Sequence, residues 1–226
     1  SAQIDVASGE ALNYEGSSLS LGGNTLTLSG AGILSNTNAL LLGDDSSSLK
    51  LSGTNTVSGP VTLSAGSLDV DDTATLSGDL SLGGSAQIDV APGKTLHYEG
   101  SSLSLGANTL TLSGGGTWSS TNALLLGDGL SALKLSGMNT VSSPVSLGAG
   151  LIDVDESATL SADLSLGGTA TIDVASGKVL SYSGTALSLG GNTLTLSGGG
   201  TWSSTNALML GDKSSTLKLT GTNTVS

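Results

Sequence analysis

Asp5, Asp89 and Asp173 each stand between an isoleucine and a valine, at intervals of 84 residues. Asp69 and Asp153 occupy the related runs Leu68-Asp69-Val70 and Ile152-Asp153-Val154. Neighbours along an extended strand point to opposite faces, so an acid between two branched apolar residues points outward when they point inward. The outward residues, read from run to run, are Asp5, Thr27, Lys50, Asp69, Asp89, Thr111, Lys134, Asp153, Asp173, Thr195 and Lys218. This order sets Lys50 against Asp69, but it also sets Asp69 against Asp89 and Asp153 against Asp173. Like charges opposed across strands are destabilising. Water, salt and the nearby lysines are one remedy, and a bridging divalent cation is the other. Calcium takes about six to eight oxygen ligands. Its candidate ligands here are Asp69, Asp71 and Asp89, with Asp153, Asp155 and Asp173 in the next copy, and Asp72 and Glu156 nearby. The glycine-rich nonapeptide of calcium-binding solenoids is absent.

Other chemistry has few residues to draw on. The chain has one histidine, no cysteine and no arginine. His97 aligns with Asn13 and Ser181, which marks a substituted surface position, and a serine nucleophile needs a base beside it. Polysaccharide cleavage needs clustered carboxylates with a group to stabilise developing charge. No catalytic residue is therefore expected, and no enzyme. The aromatics recur in register as Tyr14, Tyr98 and Tyr182, then Trp118 and Trp202 with Leu34 at the first tryptophan position. A leucine in that series favours packing over ligand contact. Asn55, Asn139 and Asn223, with the series from Asn24 and Asn38, fall near turns, where an amide can bond backbone groups and tolerate left-handed geometry. Paired threonines such as Thr25 and Thr27 come once in four coils, too sparse for a regular hydroxyl lattice. No asparagine begins a glycosylation sequon.

The elements that hold these residues follow from the repeat. Residues 1–84 and 85–168 agree at about three of every four positions, and 169–226 matches the start of 85–168 as closely. Repetition of this strength signals a repeat architecture. Within each copy, short runs such as QIDV, SLSL, TLTL and ATL alternate apolar and small polar residues, the mark of a half-buried strand. SG, GG, AG and GD pairs punctuate them. The runs form three columns: Ile4, Leu26, Leu49, Leu68 and Ile88; then Leu12, Leu34, Val57 and Leu76; then Leu19, Leu40, Val61, Leu80 and Leu103. Three strands every ~21 residues predict an all-β, triangular parallel β-solenoid, with strands stacked about 4.8 Å apart. Four coils make one 84-residue super-repeat, and residues 1–226 make one continuous solenoid of about eleven coils, its third copy (169–226) incomplete. A β-sandwich is the rival fold.

Composition agrees. There are 35 glycines, no phenylalanine and only 2% aromatic residues, which fits a thin aliphatic core. The net charge of −12 lacks the basic footprint that nucleic acid requires, and it disfavours an anionic membrane surface. No run approaches the ~20 apolar residues of a membrane span, and no signal-peptide pattern is present. The pattern stops partway through a copy, so a processed or excerpted piece of something longer is expected.

LSGTNTVSGPVTLSAGSLDV (Leu51 to Val70) and its counterpart LSGMNTVSSPVSLGAGLIDV (Leu135 to Val154) resemble the passenger-associated repeats of autotransporters and other large bacterial surface adhesins. The tyrosine usual after Asn-Thr in that family is Val57, Val141 and Val225 here. The resemblance covers about 20 residues in every 84, and it implies a right-handed β-helix stalk outside the cell. The functional expectation is a structural extracellular rod at the bacterial cell surface, with no cofactor beyond the calcium candidate. The alternatives are a subunit of a head-to-tail filament, self-associating through open solenoid ends, and a polysaccharide-binding or polysaccharide-cleaving β-helix.

Overall fold

The computed structural model describes all residues from Ser1 to Ser226 and contains strands and turns but no helix. It is a parallel β-solenoid. Each coil contributes one strand to each of three faces. The first face, from Ala2–Val6 to Thr216–Leu219, and the second, from Ala11–Tyr14 to Thr224–Val225, are each unbroken 11-stranded sheets. The third face is divided into sheets of 4, 4 and 2 strands. Alternation places Leu, Val and Ile inward, where they join in one continuous core along the rod. Small Ser and Thr residues lie outward.

The predicted stacking holds along most of each column. Leu49, Leu68 and Ile88 are paired in turn on the first face, as are Leu12, Leu34 and Val57 on the second and Leu19, Leu40, Val61 and Leu80 on the third. Between the first and second coils of each copy, the first-face register departs from the prediction. Ile4 pairs with Leu28, and Leu26 pairs with Ala2. Asp5 therefore faces Ser29 rather than Thr27, Asp89 faces Ser113 rather than Thr111, and Asp173 faces Ser197 rather than Thr195. A one-residue slip would turn the core side chains outward, but a two-residue slip keeps them inward. Alternation alone cannot choose between Leu26 and Leu28.

Close packing at the corner makes the choice. Gly30 lies at φ 83°, and a Cβ on it would fall 2.2 Å from the Val6 carbonyl oxygen. Only glycine lets the coil close there, with Ala31 N–H donating to Val6 O at 3.1 Å. Gly114 and Gly198 repeat the arrangement at φ 84° and 89°.

The slip accumulates. Gln3 stacks through Thr27, Lys50 and Asp69 onto Asp89, two residues beyond its sequence counterpart Gln87. On the second face Leu12 stacks through Leu34, Val57 and Leu76 onto Tyr98, again two residues beyond its counterpart Leu96. The third face does not follow. Its ladder breaks between Leu80–Leu82 and Leu103–Ser104, and again between Leu164–Leu166 and Leu187–Ser188. Leu80 and Leu103 are therefore not the ladder partners that the column predicted.

Candidate functional site

The first face carries the predicted acidic residues. Asp69 and Asp89 are register partners, and so are Asp153 and Asp173. Each pair is divided between two supports. The Lys50 ammonium lies 3.0 Å from Asp69 Oδ2 and 2.7 Å from Asp71 Oδ2. Lys134 repeats this at 2.9 Å from Asp153 and 2.6 Å from Asp155. On the far side, Ser113 Oγ donates to Asp89 Oδ2 at 2.6 Å, and Ser197 donates to Asp173. Opposed carboxylates are thus drawn apart, one toward a lysine and the other toward a serine. Asp72 and Glu156, read as further oxygen donors, turn instead to Lys94 and Lys178, at 2.7 Å and 2.6 Å.

These contacts bias protonation. Hydrogen bonds donated to Asp71 and then to Asp69 hold the Lys50 ammonium above its ordinary pKa. Asp155 and then Asp153 do the same for Lys134. The Lys94 hydrogen bond, followed by the Thr73 amide, keeps Asp72 below the usual carboxylate value. The six calcium candidates are placed along this one face, with a lysine ammonium between Asp69 and Asp71 and another between Asp153 and Asp155. No group of three or more acidic or histidine side chains converges on a common point where an ion could sit.

Serine partners for Asp89 and Asp173 were hidden by the two-residue slip. Two other acids also have partners that sequence spacing did not reveal. Asp79 accepts the Ser101 amide at 2.9 Å, and Asp163 accepts the Thr185 amide at 2.9 Å. Each carboxyl is held below its ordinary pKa, chiefly by that backbone donor.

The aromatics turn inward. Tyr98 and Trp118 are 2% and 1% exposed, and their ring centroids lie 5.4 Å apart at 37°. Tyr182 and Trp202 repeat the pair at 5.5 Å. Stacking of Leu96 on Trp118 brings neighbouring coils into this contact. The buried rings offer no flat platform to a sugar. The tyrosine hydroxyl has a specific place: Leu80 N–H donates to Tyr98 Oη at 3.1 Å, and Leu164 N–H donates to Tyr182 Oη at 3.1 Å. Both amides belong to third-face strands beside a ladder break. The phenol supplies an acceptor where no strand is stacked. Tyr182 Oη in turn donates to Thr185 O at 2.7 Å.

Asparagines bind the coil below, but not through left-handed backbone, since no residue other than glycine has positive φ. Asn55 Nδ2 donates to Leu28 O at 3.0 Å, and Asn139 Nδ2 donates to Ser113 O at 2.8 Å. Asn38, Asn122 and Asn206 donate to the carbonyls of Gly16, Gly100 and Gly184. Each amide ties a corner to the coil below.

His97 lies outward on the second face between Thr75 and Ser119. With Glu99, Ser119, Ser120, Thr121 and Ser142 it lines an open polar groove of about 390 Å³. Compared with protein-family models, curated proteins and solved structures, the chain matches none of them, so the resemblance to adhesin repeats rests on the residues from Leu51 to Val70 and their counterparts.

Proposed function

We propose that this chain is a structural spacer, an extracellular β-solenoid rod of the kind that forms the stalk of a bacterial surface adhesin. The observation that carries the proposal is the pair of uninterrupted 11-stranded ladders running the length of the chain. Every coil shares backbone hydrogen bonds with its neighbours on at least two faces, and the core beneath them is continuous. Tension or bending is therefore spread over parallel ladders, and length is proportional to coil number. Eleven layers at about 4.8 Å give a rod of about 50 Å. Outward Asp and Lys residues with a net charge of −12 oppose lateral association of such a rod. The repeat resembling adhesin passengers supports the setting.

The test is a fusion that places the chain between an outer-membrane anchor and a fluorescent tip on a bacterial surface. Adding one 84-residue copy should raise the tip by about 19 Å, measured by energy transfer to a membrane dye. A tip height that does not change with copy number would contradict the spacer reading.

A further inference from the structure

The turn that leads from the third face to the first is built three times from the same parts. Asp44, Asp128 and Asp212 each open it. The main-chain carbonyl of each accepts the amide three places on, from Ser47 at 2.8 Å, Ser131 at 3.0 Å and Ser215 at 3.0 Å. Each carboxylate also accepts the amide two places on, from Ser46 at 3.0 Å, Leu130 at 2.8 Å and Ser214 at 2.8 Å. That bond folds the carboxyl back across the intervening amide.

The three turns differ in the two residues that decide whether the carboxyl can react with that amide. In the first and third copies the intervening residue is Asp45 or Lys213, whose side chain crowds the amide nitrogen. In the second copy it is Gly129, which leaves the nitrogen open to close approach. The fold does not require glycine there. Its φ is not positive, and a Cβ would meet nothing nearer than Ala149 O at 3.9 Å. Ser46 and Ser214 add a second protection, since each hydroxyl donates to its aspartate at 2.5 Å. That bond, followed by the serine amide, holds Asp44 and Asp212 below the usual carboxylate pKa and so in the less reactive ionised form. Leu130 stands in place of the serine, is 75% exposed and donates only its amide.

We infer that Asp128–Gly129 is a site of spontaneous isomerisation from aspartate to isoaspartate, and that the equivalent turns at Asp44 and Asp212 are protected from it. Gly129 N attacks Asp128 Cγ and a C–N bond forms. The carboxyl gives up a hydroxyl and the amide a proton, which leave together as water. Water then reopens the five-membered succinimide. Attack at Cγ restores aspartate. Attack at the main-chain carbonyl carbon breaks its bond to Gly129 N, and the chain then runs through Cβ and Cγ. Mass is unchanged, and the backbone gains one methylene. The former main-chain carbonyl becomes a free carboxylate, so the acceptor of the Ser131 amide and of Ser131 Oγ, 2.5 Å away, leaves the path of the chain. Ser131 is buried, and its own carbonyl accepts the Leu151 amide of the next coil at 2.9 Å. Conversion therefore loosens one corner in the middle of the rod.

The inference does not rest on the spacer reading. The experiment incubates the folded 226-residue chain at neutral pH for weeks and maps its tryptic peptides over time. Cleavage at lysine releases residues 95–134, in which Asp128 is the only aspartate. This peptide should split into two peaks of equal mass, the new one giving fragment ions of an isoaspartyl bond at position 128. Deamidation of its asparagines would add mass instead. Conversion at Asp44 and Asp212 should be many-fold slower. Gly129→Asp, which installs the first copy's residue, should abolish conversion, and Leu130→Ser should slow it several-fold. Both positions are exposed, and circular dichroism verifies the fold of each variant. A single unchanged peak for residues 95–134, or conversion no faster than at Asp44 and Asp212, would overturn the inference. So would either variant converting at the wild-type rate.

Discussion

At the scale of single residues, the design problem is like charge stacked on like charge, and the solution is to give each acid a different partner. Lys50→Met removes the ammonium between Asp69 and Asp71. Half-exposed ion pairs contribute about 0–1 kcal/mol, so the thermal midpoint should fall by no more than a few degrees. A larger fall would mean that this cluster holds the coil together in a way the geometry does not explain. The pH dependence follows from the shifted groups. Asp72, Asp79 and Asp163 have folded values below their unfolded ones, so their stabilisation is complete above about pH 4 and is lost as pH falls through the lower folded values. Lys50 and Lys134 are shifted upward, so theirs is complete below about pH 10 and is lost as pH rises through the higher folded values. The midpoint followed by circular dichroism should therefore be level from about pH 5 to 9 and fall on either side. Tyr98→Phe is a sharper probe, because it leaves the Leu80 N–H without its acceptor beside the ladder break. An unsatisfied buried donor costs about 1–3 kcal/mol, which chemical denaturation would detect. The outward position of the acids was legible in the sequence from alternation, whereas Ser113 and Tyr98 as partners were not. Both depend on which coil lies above which.

At the scale of the strand and its corner, alternation specifies which side chains enter the core but leaves register open by steps of two. Glycines settle it. Gly114, at φ 84° with space only for hydrogen opposite the Val90 carbonyl, should not tolerate a methyl group. Gly114→Ala should cost about 1–3 kcal/mol from backbone strain alone, and an unchanged denaturation midpoint would contradict this account of the register. The aromatic pair makes a second case. Trp118→Ala empties a buried site and should cost about 3–5 kcal/mol. Trp118→Leu should cost much less, because Leu34 fills the same position in the first copy and the buried indole N–H has no acceptor to lose. Leu34 had already identified this position as packing. The contact between Tyr98 and Trp118 was not visible, because Tyr98 is paired with Ser120 and reaches the tryptophan diagonally across neighbouring coils, a side-chain packing that strand spacing does not specify.

For the molecule as a whole, composition and repeat length were enough to predict three strands per coil, a thin aliphatic core and a rod. What they missed is that the long repeat and the physical stack differ by two residues in each copy. Two faces absorb the difference by sliding, and the third breaks its ladder where the tyrosine hydroxyl stands in. Because lysines and serines already support the opposed acids, excess EDTA should leave the thermal midpoint unchanged, and a clear fall would instead identify a bound divalent cation. The central claim is that length is set by stacked coils, each copy adding four layers. Its most direct measurement is small-angle X-ray scattering of the chain lacking residues 85–168, in which Gly84 is followed by the equivalent start of the third copy at Thr169. The shortened chain should be a folded rod whose maximum dimension is smaller by about 19 Å with an unchanged cross-section. A shortened chain that keeps the original dimension, or that loses its strands, would contradict it.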